Sequence, residues 1–296
     1  MSNKGCEAVT TDQPFWKTRL DELQIGSLAD MFGVEKPIIG MVHLWPLPGS
    51  PGYTGYGMGR VSDEARRDAE KLLAGGVDGL MVENMWDAPY RVGHEVDPEA
   101  MTAQAVAARA IVDMTDKPVG INVVHNGGLV TLAIAVASGA QFIRVCLFTG
   151  SRLWDTGELD HGCAADLVRK RKELHAEDIK LFCDVDKKHS VAFPGIDLET
   201  HIEWTEFYRA DACIVSGRMT GAAPEVAKVR RVRELATRPI LMGSGTNAEN
   251  VGEFLRYADG AIVGSSLKID DVMENPVDIE KTKRYMGAVE EVRARG

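Results

Sequence analysis

The sequence predicts a (β/α)8 barrel with an N-terminal helical extension, and three observations carry that prediction. Short apolar runs rich in Val and Ile alternate with amphipathic stretches, the βαβ rhythm of a parallel sheet. Eight such units fill the chain from residue 37 to its end with no strand left over, which favours a closed barrel over a doubly wound sheet. The last two runs end in small residues, Gly243-Ser244-Gly245-Thr246 and Gly264-Ser265-Ser266. Loops of that kind after the seventh and eighth strands of a barrel turn backbone N–H groups toward a phosphate.

Taken in order, residues 1–35 form the extension and residues 36–296 the barrel. Phe15, Trp16, Leu20, Leu23, Leu28, Met31 and Phe32 give residues 12–32 an apolar helical stripe that caps the barrel bottom or packs on a partner subunit. Strands are expected over Ile38–His43, Gly79–Glu83, Val119–Val124, Phe142–Cys146, Leu181–Asp186, Ala212–Ser216, Ile240–Gly243 and Ala261–Gly264. The helices between them fall on Ser62–Ala74, Pro98–Met114, Leu129–Ser138, Ala164–His175, Leu198–Arg209, Pro224–Leu235, Ala248–Tyr257 and Asp278–Arg293. Ser62 with Glu64 close behind, Asp97-Pro98 and Ala223-Pro224 supply starting signals. The long Gly- and Pro-rich segment Trp45–Arg60 after the first strand is a candidate lid.

Composition narrows the function. Hydrophobic residues make up 45% and charged residues 26% of the 296, which describes an ordinary globular chain. A net charge of −10 disfavours nucleic acid and anionic membrane as partners, because both need a concentrated positive field. No apolar stretch is long enough to span a bilayer, and the first twelve residues lack a signal-peptide core. The five cysteines show no CxxC spacing, so the expectation is a reduced, cytoplasmic protein.

Polar residues crowd the C-terminal ends of the strands, where barrel active sites lie. In order they are His43, Glu83 with Asn84, Asn122 with His125, Arg144 with Cys146, then Asp184, Asp186, Lys188 and His189, and Ser216. Packing alone would be satisfied by Val, Ile and Leu, and buried polar groups cost free energy without partners. A period of two places Asp184, Asp186 and Lys188 on one strand face, a carboxylate–ammonium cluster suited to acid–base chemistry. Asp184 and Asp186 with His189 are alternatively a divalent-cation site, and a salt-bridged strand end is the third reading. Glu83 reads as a general base or sugar-hydroxyl acceptor, or as a buried acid bonded to loop amides. Arg144 in the interior calls for a carboxylate, Asp184 or Glu83, or for a ligand anion. HExxH, Walker and GxSxG motifs are missing from the sequence, so a zinc protease, a P-loop NTPase and a typical serine hydrolase are unsupported.

These residues together resemble the BtpA/SgcQ family, from about Lys36 to the C-terminus. The resemblance is carried by Gly40-Met41-Val42-His43-Leu44 with Pro46-Leu47-Pro48-Gly49-Ser50-Pro51, by Glu83-Asn84 with Asp87 and Pro89, and by Pro118-Val119-Gly120-Ile121-Asn122-Val123 with Asn126. Phe142-Ile143-Arg144-Val145, Asp184-Val185 with Lys188-His189, Gly243-Ser244-Gly245 and the run from Ala258 to Ser265 with Lys268 complete it. Gly127 and Cys146 stand where the family pattern more often has an acidic residue and an Asn, and Trp86 is also unusual. The resemblance implies a ribulose-phosphate-binding barrel, a group of sugar-phosphate isomerases, aldolases and synthases. It implies equally a link to photosystem I biogenesis, with peripheral membrane association, and to carbohydrate uptake.

Two functions are therefore expected from different classes. The first is an enzyme acting on a phosphorylated sugar or sugar-like metabolite by acid–base chemistry of the isomerase or aldolase/lyase type. Its catalytic residues are Glu83, Asp184, Asp186 and Lys188, its substrate contacts His43, Asn84, Asn122, Arg144, His189 and Ser216. Its phosphate ligands are Gly217, Gly243, Ser244, Gly245, Thr246, Gly264, Ser265 and Ser266. No cofactor is specified beyond a possible divalent metal, and the chain is a candidate homo-oligomer. The second is a non-catalytic assembly factor.

Overall fold

A computed structural model describes residues 27–91, 95–187, 189–217 and 221–295. Residues 12–26 of the expected N-terminal helix lie outside the described residues. Within them the chain begins with a short helix, α1 (Leu28–Phe32), capped by Ser27 and ended by Gly33 in the left-handed conformation.

Eight parallel strands then close into a barrel. In chain order they are β1 (Ile38–His43), β2 (Gly79–Glu83), β3 (Val119–Asn122), β4 (Phe142–Val145), β7 (Lys180–Asp186), β9 (Ala212–Val215), β10 (Ile240–Met242) and β11 (Gly260–Val263). Around the barrel the order is β1-β2-β3-β4-β7-β9-β10-β11, with β11 closing onto β1. This is the expected architecture, with each strand within a residue or two of its expected limits.

The helices that return the chain are α2 (Met58–Ala74), α3 (Pro98–Val112), α4 (Gly128–Ser138), α5 (Ala164–Glu173), α6 (Leu198–Phe207), α7 (Val226–Leu235), α8 (Val251–Phe254) and α9 (Ile279–Arg293). Three of them depart from expectation at their starts. Helix α2 begins four residues before Ser62, at a Gly57 cap with no side-chain bond. Helix α7 begins beyond Pro224, at Val226. Helix α8 is a single turn, because Asn247 Oδ1 takes the N–H groups of Glu249 and Asn250. That side-chain turn replaces the first helical turn expected from Ala248.

A second, three-stranded antiparallel sheet is not among the expected elements: β5 (Ser151–Trp154), β6 (Leu159–His161) and β8 (Ser190–Ala192), in the order β6-β5-β8. Its strands are three or four residues long, too short to show a period. Buried Arg152 on β5 ties the sheet to the barrel rim: Nε donates to Ser190 Oγ at 2.7 Å and Nη2 to Asp186 Oδ1 at 3.1 Å.

Alternation along the strands divides the core in two. Ile39, Met41, Met81, Phe142, Phe182, Ile214, Leu241 and Ile262 fill the barrel interior, and a larger layer of Val, Leu, Ile and Ala lies between strands and helices. Phe142 and Phe182 stack at 4.9 Å, and Phe32 of α1 meets Phe142 edge-on at 5.7 Å. Gly120 makes room for this plug, since a Cβ there would lie 2.1 Å from the Phe142 ring. The described end of the extension thus caps the barrel floor, leaving polar residues to the opposite end. The expected lid is fastened there: Leu47 is fully buried with its N–H on Asp87 Oδ1 at 2.7 Å, and Tyr56 donates to Pro46 O at 2.5 Å.

Candidate functional site

Strand register brings polar residues of neighbouring strands to one level at the mouth. His43 of β1 is level with Glu83 of β2, and Glu83 with Asn122 of β3. Across this level His43 Nε2 lies 3.8 Å from Glu83 Oε1, and Asn122 Nδ2 donates to Glu83 Oε2. Cys146, just past β4, donates its S–H to Asn122 Oδ1 at 3.5 Å, and Lys187, just past β7, donates from Nζ to Cys146 Sγ at 3.0 Å. His43, Glu83, Asn122, Cys146 and Lys187 form a continuous polar chain around half of the mouth, and all five are buried.

Beside that chain lies a buried ion pair. Arg144 Nε and Nη2 donate to Asp184 Oδ2 and Oδ1 at 2.8 and 2.9 Å, and Ser216 Oγ donates to Asp184 Oδ1 at 3.2 Å. Burial opposes the Arg144 charge, but Asp184 outweighs it and holds the guanidinium more firmly protonated than usual. Gly243 permits this packing, since a Cβ there would stand 2.5 Å from Ser216 Oγ and 3.2 Å from Arg144 Nη2. Of the two carboxylates proposed for Arg144, Asp184 is the one bound.

Asp184 and Asp186 do not share a face. A bulge shifts the register between them, with Asp184 opposite Ile214 and Asp186 opposite Val215. Asp186 is held at the rim by Arg152 and Lys228. His189 pairs with Asp155 at 3.1 Å. These three side chains therefore go to separate partners rather than to one point. Among the described residues no group of three or more His, Cys, Asp or Glu side chains is placed to hold a metal ion. Lys188 lies outside the described residues.

The two Gly-Ser loops sit side by side at the far edge of the mouth. Ser266 Oγ donates to Thr246 O at 2.7 Å, and the buried Tyr285 hydroxyl donates to Thr246 Oγ1 at 2.9 Å. Gly245 has φ +80°, and a Cβ there would lie 2.1 Å from Ala223 N, so only glycine fits. Among the described residues, the backbone N–H groups of Ser244, Gly245, Thr246, Gly264, Ser265 and Ser266 donate to no protein group. Gly264 packs against His43, whose Cε1 would be 3.2 Å from a Cβ at that position, so the loops adjoin the polar chain directly. Gly217 is turned against the Ala222 carbonyl, and Asn84 is spent on Asp87 and on the Val124 N–H.

Two cavities meet at the centre. One, of about 40 Å³, is bounded by both Gly-Ser loops, His43, Glu83, Met85 and Arg144. The other, of about 330 Å³, shares Glu83, Met85 and Arg144 and continues to Tyr90, His125, Trp154 and Lys187. In that larger lobe His125 stacks on Trp154 at 4.6 Å and meets Tyr90 at 4.7 Å. Burial and then the nearby Lys187 hold the His125 pKa down at about 4, so the ring is neutral near pH 7. Lys187, Tyr90 and Trp154 were not among the expected site residues. Trp154 arrives on the unforeseen small sheet, and the bulge at Asp184/Asp186 breaks the alternation that drew attention to Lys188 instead of Lys187.

Residues 34–291 match the family model described as the BtpA family. The chain is 40% identical to an uncharacterized protein of Thermococcus kodakarensis over 258 residues, 87% of this chain and 97% of that protein. It is 37% identical to the photosystem I biogenesis protein BtpA of Synechocystis, over 89% of this chain and 91% of that protein. Among solved structures it is similar to tryptophan synthase of M. tuberculosis, with TM-score 0.54 and 14% identity over 93% of this chain and 98% of that one. N-(5'-phosphoribosyl)anthranilate isomerase of Pyrococcus furiosus gives TM-score 0.51 and 13% identity, over 86% and 99%. At such identities these structures establish the barrel fold alone.

Proposed function

The chain belongs to the BtpA family, and from that premise and the geometry of the barrel mouth we propose that it is an enzyme acting on a phosphorylated sugar or sugar-like metabolite. The observation that carries this reading is the meeting of an amide-lined cradle with Glu83 in one pair of cavities. The phosphate sits against the free N–H groups of Ser244–Thr246 and Gly264–Ser266, where backbone dipoles favour an anion without any added cation. The rest of the ligand extends past Glu83 and Arg144 into the larger lobe.

Glu83 is placed to take a proton from carbon or from a hydroxyl, with Asn122 and His43 fixing its two oxygens. Such proton transfer next to a carbonyl is common to isomerases and to aldolases or lyases. Asp184 acts through Arg144, as a positioning residue. The solved barrels named above, including an isomerase of a phosphoribosyl compound, support the reading by fold analogy.

Thermal-shift measurements against inorganic phosphate and a panel of sugar phosphates test the proposal. Stabilisation by the phosphorylated compounds and not by their dephosphorylated forms is expected, and it survives in Glu83→Gln, which removes the base and keeps the cradle. A panel in which no phosphate compound raises the melting temperature would sink the reading. The relative named for photosystem I biogenesis favours a second reading, a non-catalytic assembly role. That reading gains if a cellular phenotype survives Glu83→Gln but is lost on removing residues 12–32.

A further inference from the structure

The polar chain around the mouth ends on Lys187, a residue that phosphate binding does not explain. Its side chain is 6% exposed, and it lines the larger lobe together with Glu83, His125 and Trp154. Among the described residues the other buried arginines and lysines have an acid partner: Arg144 has Asp184, Arg152 has Asp186, Arg171 has Asp211 and Lys268 has Asp68. Among the described residues Lys187 has none, and its Nζ bonds only to the Cys146 sulfur. A buried ammonium without a carboxylate is costly, so this position stabilises the fold poorly and fits a reacting group better.

We propose that Lys187 is a catalytic residue that forms a Schiff base with the carbonyl carbon of a phosphorylated aldehyde or ketone. This rests on the reading of the Gly-Ser loops as a phosphate cradle, and it narrows the substrate class to carbonyl compounds. The amine form of Nζ adds to the carbonyl carbon, making the C–N bond while the carbonyl oxygen takes a proton. Loss of that oxygen as water leaves the iminium, so one ammonium and one carbonyl yield one iminium and one water, with charge conserved. Glu83, lining the same lobe, then takes a proton from the adjacent carbon, and the C–H electron pair moves into a C=C bond that quenches the iminium charge. Cys146 positions Nζ by accepting its hydrogen bond while its own S–H is held by Asn122, which in turn is fixed on Glu83.

The test is reductive trapping. The full chain is incubated separately with dihydroxyacetone phosphate and glyceraldehyde 3-phosphate, reduced with sodium borohydride, and read by intact mass and by tandem mass spectrometry of its peptides. The expected product is a single adduct heavier by the sugar phosphate less one oxygen atom, placed on Lys187 and lost in Lys187→Arg. Thermal shift with the same compounds is recorded in parallel. Stabilisation without an adduct overturns the role of Lys187 and leaves the phosphate cradle standing, whereas neither stabilisation nor adduct removes both. An adduct on Lys188, or one spread over exposed lysines, also overturns the proposal, and mapping in the wild-type protein keeps it testable even if the variant fails to fold.

Discussion

Replacing Arg144 by Met gives the sharpest test of how the mouth is held. The change removes two charge-assisted hydrogen bonds, at 2.8 and 2.9 Å, from a carboxylate that is 1% exposed. Asp184 keeps the Ser216 hydroxyl but loses the guanidinium. Breaking a buried pair from one side costs about 3–5 kcal/mol, because the remaining carboxylate loses its bidentate partner. Over a chain of this length that lowers the melting temperature by roughly 5–8 °C. The loss is also pH-dependent. Losing the guanidinium disfavours the charged form of Asp184 in the folded variant. The penalty is therefore greatest near neutral pH and shrinks as pH falls into the range where carboxylates protonate. Adding Asp184→Asn removes the carboxylate and recovers part of the loss at pH 7. Urea unfolding of the wild type, Arg144→Met and the double variant at pH 5 and pH 7.5 reads all of these terms. A single variant that loses less than about 1 kcal/mol at both pH values refutes the assignment of a buried, mutually dependent pair.

Two further outcomes follow from the same geometry. Gly245→Ala forces a Cβ to 2.1 Å from Ala223 N at φ +80°, so it destabilises by about 1–3 kcal/mol and abolishes the thermal shift caused by inorganic phosphate. Gly252→Ala, whose Cβ would meet only Val292 at 3.5 Å, is the control that leaves both unchanged. His125, held near pKa 4 in the folded state, contributes a loss of stability as pH falls from 6.5 to 4, because only the unfolded chain takes up the proton there. The loss is on the order of 1–3 kcal/mol. His125→Phe keeps a ring against Trp154 and flattens that part of the stability–pH curve, and an unchanged slope in urea titrations would contradict the assignment.

The barrel was legible because its information is local. Val/Ile runs of three to seven residues separated by amphipathic segments impose eight buried strands, and Gly243–Thr246 and Gly264–Ser266 follow two of them by position alone. Glu83, His43, Asn122 and Arg144 were also recognisable, since a polar residue closing an apolar strand is visible without coordinates. The short strands β5, β6 and β8 were not, and with them went Trp154 and the aromatic lobe. Lys187 was hidden by a different cause. Alternation places it opposite Asp184 and Asp186, and only the bulge between those residues ends that alternation.

The sequence by itself therefore determined the closed parallel barrel, the end at which polar groups collect, and the position of the two Gly-Ser loops. These depend on periodicity, composition and glycine placement, which act over a few residues. Tertiary structure alone decided which polar groups are partners: Asp184 serves Arg144, Asp186 serves Arg152 and Lys228, and Lys187 faces the cavity with its Nζ on the Cys146 thiol. Those choices join residues about forty positions apart along the chain, as in Arg144 with Asp184 and Cys146 with Lys187, through strand register and one bulge. No local pattern encodes a distance of that kind, and the chemistry of the mouth depends on it.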